Sequence, residues 1–286
     1  TRSGDVSWAR DVYKRQINKF VMLVCMPALC IEFLALAPIK HFDFLLLFGY
    51  FLSEIILFLI GLFISKYIFR LSNTEAILIG LALALTNHVL FVLPIADEIF
   101  GASNTLTIVS IITMDGLLIF SLTLIAMDIL SNSNRPFFVT IKAIITNPPL
   151  IGILVGLVIS LNNLELPSGF LFFLEKMGGT ATPALLFSLG IMLSYQDKIA
   201  PTKLIVSMTT IKLILHPILA WLLIAFLFGG SYPANHSTAL MVAAAPSGVM
   251  AYMLAMNYNV TVDRISPIIL YTSIGSLITV SLAATM

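Results

Sequence analysis

The chain has 286 residues, 59% of them apolar and only 10% charged, with a mean hydropathy of +1.04 and a formal net charge of +1. A soluble domain carries about 25% charged residues, so a globule with a polar skin is excluded. The near-neutral balance without a basic tract also excludes a nucleic-acid partner. What remains is an all-α polytopic membrane protein, whose spanning helices each need roughly 20 mostly apolar residues.

The first sixteen residues, "TRSGDVSWARDVYKRQ", stand apart: they hold four of the fifteen basic residues and no apolar run. They lack the apolar stretch and cleavage site of a signal peptide. The run "VSWARDVYKRQ" reads as the translation of a sequencing-library adaptor, so 1–16 is expected to be a non-native leader, with the native chain starting near Ile17.

Nine apolar spans follow, at about 17–37, 43–66, 76–97, 104–130, 138–161, 169–195, 203–228, 234–256 and 264–285. Cys25 and Cys30 share the first span and are expected to be packing residues rather than a disulfide or zinc pair. The third span is interrupted by Asn87, His88 and Pro94, and the eighth by Pro246, Ser247 and Gly248. Proline removes a backbone donor and clashes with the turn before it. Such a break is tolerable in hydrocarbon only where it is buried in protein or lines a polar cavity. Ionisable residues inside spans default to functional candidates; these are Glu54, Asp115, Lys212 and His216, while Asp97, Glu98 and Asp128 lie near span ends and are expected to be solvated.

Basic residues collect on one set of alternate connections: Lys19, Lys66, Arg70, Arg135, Lys142, Lys198, Lys203 and Arg264, against Lys40 and Lys176 on the other. Lys and Arg favour the cytoplasmic side, which places the C-terminus outside. "MPALCIEFLAL" at 26–36 aligns with "TPALLFSLGIM" at 182–192, an offset of 156 residues. The spans then pair two by two, leaving 138–161 without a mate, so one helix is expected to precede Ile17, making ten in all. Five spans per repeat inverts the halves, with 17–130 as four helices of the first repeat and 131–286 as the second. Inverted repeats broken at matching positions are a mark of secondary transporters. At the same offset Glu54 maps to Thr210, two residues from Lys212, so the two charges form a candidate pair.

The segments "INKFVMLVCMPALCIEFLA", "ALTNHVLFVLP", "NPPLIGILVGLVISL", "TPALLFSLGIML", "IKLILHPILAWLL" and "AAAPSGVMAYMLAMNYNV" together resemble the auxin efflux carrier family, including its bacterial malonate-type members. The resemblance implies a bile-acid symporter-like fold of ten helices. In it, 17–37 and 138–195 form a scaffold that dimerises, while 43–130 and 203–286 form a moving transport domain. It implies an organic-anion substrate at the crossing of the two broken helices, where Asn87 matches the family's crossover asparagine.

The expectation is therefore a secondary transporter in a bacterial inner membrane, moving a carboxylate by alternating access, with no cofactor beyond a coupling proton or sodium ion. Asn87, His88, Pro94, Pro246, Ser247 and Gly248 are the substrate-site candidates; Asp115, Glu54, Lys212 and His216 are the coupling or charge-pair candidates. His88 also reads as a structural histidine, and Asp115 is the foremost coupling candidate. A membrane-embedded enzyme is the rival, but the convergent groups it needs do not show: Asp115 has no motif partner, and the four histidines lack ligand spacing. A membrane sensor sharing the fold is a further alternative.

Overall fold

The computed structural model describes residues 15–100, 105–131, 136–194, 201–230, 233 and 235–285. Most of the leader, together with Arg135 and Lys198, lies outside the described residues, as do the side chains of Pro94 and Asp97.

Among the described residues, five helices are long and apolar enough to cross a bilayer without interruption: α1 (Arg15–Ala35), α2 (Phe44–Ile68), α5 (Leu106–Ser131), α10 (Lys203–Leu227) and α13 (Ile265–Ala283). Between them lie the broken elements. Helix α3 (Asn73–Ala84) stops, and the chain resumes as a π-turn, His88–Val92, running into α4 (Leu93–Phe100). Likewise α11 (His236–Ala243) stops before α12 (Met250–Asn257). The remaining helices are α6 (Phe137–Ile145), α7 (Pro148–Leu161), α8 (Ser168–Gly179) and α9 (Ala181–Leu193). The fold is that of a polytopic all-α membrane protein.

Proline accounts for much of the irregularity. The π-turns at Val21–Cys25, His88–Val92 and Ile211–Leu215 each end two residues before a proline: Pro27, Pro94 and Pro217. A proline cannot supply the N–H that would continue the α-type ladder, and the preceding turn widens instead. The 138–161 span departs from the single helix expected of it. It bends by 58° between α6 and α7, because Pro148 restricts Asn147 to extended backbone and α6 must end before it. Asn147 is indeed extended, with φ −68° and ψ 118°.

Helix α1 packs against α7 and α8. The α7 contact depends on glycine: a Cβ at Gly152 would sit 2.7 Å from the Pro27 carbonyl oxygen and 2.8 Å from its Cα. Small residues let backbones approach this closely where lipid offers no hydrophobic drive. Helix α2 packs on α3 and α10, and α3 also meets α5, α12 and α13. Outward faces carry exposed apolar side chains such as Phe48, Phe63, Leu154, Phe226 and Ile278, a surface suited to lipid. Cys25 and Cys30 are both free and buried.

Asp128 corrects the sequence reading. It is not a solvated span end but a buried carboxylate, receiving hydrogen bonds from Tyr258 Oη at 2.7 Å and Asn147 Nδ2 at 3.2 Å. Its neighbours satisfy the charge that water was expected to solvate. Glu98 is exposed, as a span end should be.

Candidate functional site

The two breaks meet. Leu85 leaves α3 in an extended conformation, and 85–87 runs antiparallel to 246–248. Asn87 N donates to Pro246 O at 3.0 Å, Gly248 N donates to Leu85 O at 2.9 Å, and Thr86 pairs with Ser247 in a single antiparallel bridge. Each break would expose unpaired backbone groups to hydrocarbon; paired, they satisfy one another. The closeness favours glycine at 248, since a Cβ there would lie 3.0 Å from Thr86 O.

A cavity of about 100 Å³ opens against this crossing. Asn87, His88, Gly248 and Met250 line it from the crossing, Thr113, Asp115 and Gly116 from α5, Met26, Leu29, Cys30 and Phe33 from α1, and Thr182 from α9. The half-helices α4, with its π-turn, and α12 begin at this cavity, and helix N-termini carry partial positive charge that favours anions. The Asn87 side chain lines this cavity and makes no capping hydrogen bond to the π-turn it precedes.

Behind the crossing lies a buried ionisable cluster. Glu54, Lys212 and His216 are fully buried, and Asp115 and His88 nearly so. His88 Nε2 lies 3.1 Å from Asp115 Oδ2, a pairing by distance whose angle is not that of a hydrogen bond. Glu54 neighbours Asp115, Tyr50 and Lys212. Lys212 Nζ donates to Ala84 O at 3.1 Å and to Thr86 Oγ1 at 2.9 Å, and lies 3.0 Å from His216 Nδ1. An ammonium has donors only, so beside a charged Lys212 the matching His216 tautomer accepts at Nδ1 and carries its proton on Nε2. Neither carboxylate oxygen of Glu54 or Asp115 receives a hydrogen bond among the described residues.

The sequence candidates therefore divide. Asn87, His88, Gly248 and Asp115 line the cavity, whereas Pro246 and Ser247 contribute to the crossing without lining it. Ser247 is fully buried, its backbone N–H donating to Thr272 Oγ1 at 3.2 Å. Pro94 stands in the first turn of α4. Glu54, Lys212 and His216 join Asp115 and His88 in one cluster. Sequence reasoning passed over Thr86, Tyr50, Thr113 and Thr182. Tyr50 was findable, being four residues before Glu54 and so on the same helix face; Thr113 and Thr182 carry no local signal.

Comparison with known proteins agrees with this architecture. A family profile described as "Membrane transport protein" matches residues 10–284. A protein of Rhizobium meliloti (strain 1021), named "Putative malonate transporter", is 25% identical over 276 residues, covering 93% of this chain and 84% of that protein. The family is one of transporters, which sets aside the membrane-enzyme alternative. With two broken helices crossed at a cavity and a family match along almost its whole length, the chain belongs to the membrane transport protein family, that of the auxin efflux carriers.

Proposed function

We propose that this transporter moves a small organic anion, a carboxylate of malonate-like or auxin-like type, by alternating access. The observation that carries the proposal is the antiparallel crossing of 85–87 with 246–248 beside a cavity walled on its other side by α1 and α9. In this reading α1 and α6–α9 form a static scaffold that pairs with a second copy, and the other helices move against it with the substrate. The carboxylate is held at the N-termini of α4 and α12, with the Asn87 amide donating to it.

The cluster behind the crossing supplies the coupling. Two carboxylates and one ammonium leave it short of one positive charge, and an uncompensated buried charge is costly. A proton on His88 or shared by Glu54 and Asp115 balances it. Binding or release of that proton then accompanies the anion. The bias of basic residues supports a cytoplasmic start to α1 and an outside C-terminus in a bacterial inner membrane. An inside-negative membrane potential favours anion export by about 2.3 kcal/mol per charge per 100 mV.

The test is flux of labelled malonate, and of an aromatic monocarboxylate, into proteoliposomes under an imposed potassium diffusion potential. Saturable flux that responds to the potential is expected for at least one of them. Absence of flux for every carboxylate tried refutes the substrate class.

A further inference from the structure

We propose that the Lys212 ammonium is a tethered cation occupying a monovalent-cation site at the crossing, so that the protein needs no Na⁺ unless that side chain is removed. The position of Nζ supports this. It lies at the C-terminal end of α3, where the helix dipole presents partial negative charge, and it takes hydrogen-bonding contact with Ala84 O and Thr86 Oγ1. Unwound carbonyls and half-helix C-termini are the groups that bind coupling cations in broken-helix transporters. Glu54 and Asp115 add their charge from α2 and α5. With the ammonium removed, the Ala84 carbonyl and the Thr86 hydroxyl are left facing the vacated position beside His216 Nδ1, with the Glu54 and Asp115 charges near enough to act on it, and oxygen donors with acidic charge nearby suit a hard cation.

The second break makes the contrast. At the end of α11 a carbonyl of the last turn, Ala244 O, receives a hydrogen bond from the neutral Thr279 hydroxyl at 2.6 Å. Among the described residues, each half-helix end receives a side chain from a neighbouring helix, a neutral hydroxyl at α11 and a charge with acids near it at α3. Lys212 is fully buried and each of its three donors has an acceptor, with His216 Nδ1, four residues along the same helix, as the third. Such a cation is held as a ligand would be, but is covalently bound and cannot leave.

Around the same acids stand Tyr50, beside Glu54 on α2, and His88, whose Nε2 lies 3.1 Å from Asp115. Loss of Lys212 therefore leaves a cation-shaped deficit at the crossing.

The experiment measures thermal unfolding of the purified full chain as NaCl replaces choline chloride at constant ionic strength. The wild type should melt at the same temperature in both salts. Lys212→Ala should melt lower in choline and rise by a few degrees in Na⁺, whereas Lys212→Met, whose methyl end fills the site, should show no Na⁺ response. Selective Na⁺ stabilisation of the wild type overturns the proposal whatever the variants do. A Lys212→Ala protein that is equally unstable, or unfolded, in both salts overturns it too. A flux arm rests on the transport reading: anion uptake should be Na⁺-independent in the wild type and Na⁺-dependent in Lys212→Ala. If wild-type flux is absent, that reading fails while the melting arm still decides the cation site.

Discussion

Gly248→Ala probes the crossing with a single methyl. A Cβ at this position would sit 3.0 Å from Thr86 O, 3.3 Å from Thr86 C and 3.5 Å from Leu85 O. All three are backbone atoms, so no side chain can swing aside, and the two breaks must separate by a few tenths of an ångström. The separation stretches the Gly248 N–Leu85 O and Asn87 N–Pro246 O hydrogen bonds, 2.9 and 3.0 Å long. Overpacking costs about 1–3 kcal/mol, and each weakened bond puts at risk a further ~0.5–1.5 kcal/mol. For a chain of this size that corresponds to a fall in melting temperature of roughly 5–15 °C. Gly190→Ala is the control, because a Cβ there meets nothing within 4 Å. Melting of both variants by intrinsic fluorescence in detergent, with flux measured alongside, makes the comparison. Gly248→Ala matching Gly190→Ala in stability and in flux would refute the close-crossing argument.

Four further outcomes follow from the geometry. Gly152→Leu places atoms where α7 touches the Pro27 backbone, and should lower the melting temperature more than Gly248→Ala or prevent folding, read by recovery of monodisperse protein. Tyr258→Phe deletes the 2.7 Å hydrogen bond to Asp128 and should cost about 1.5–3 kcal/mol, as for a bond to a charged group, measured by thermal or denaturant unfolding. Arg264→Gln removes the ion pair with Glu75, in which the Arg side chain is 43% exposed; the expected loss is under about 1 kcal/mol in the same assay. Cys30 lines the cavity whereas Cys25 does not, so in single-cysteine variants substrate should slow labelling of Cys30 by a small methanethiosulfonate and leave that of Cys25 unchanged.

The spans were legible because lipid demands long apolar runs, and their limits agree with the helices to within a few residues at most ends. The two breaks were legible as well, since Asn87 with Pro94 and Pro246 with Gly248 interrupt such runs with residues that cannot continue a buried helix. The bend at Asn147 had its signal in Pro148-Pro149 and was overlooked beneath the apolar run around it. Asp128 could not have been placed: its partners Asn147 and Tyr258 stand 19 and 130 residues away, and nothing local distinguishes a buried carboxylate from a solvated one. The ionisable cluster is similar. Lys212 and His216 share a helix face, but that their ammonium and ring meet the end of α3 depends on the packing of α10, which composition does not encode.

The central claim is that the substrate carboxylate binds at the crossing through Asn87. Saturation flux of the accepted carboxylate into proteoliposomes, compared between wild type and Asn87→Ala after both are shown to melt alike, tests it most directly. Losing a hydrogen bond to a charged group costs about 1.5–3 kcal/mol, which weakens apparent affinity by roughly 10- to 150-fold. Unchanged affinity and rate in Asn87→Ala would place the substrate elsewhere and contradict the account.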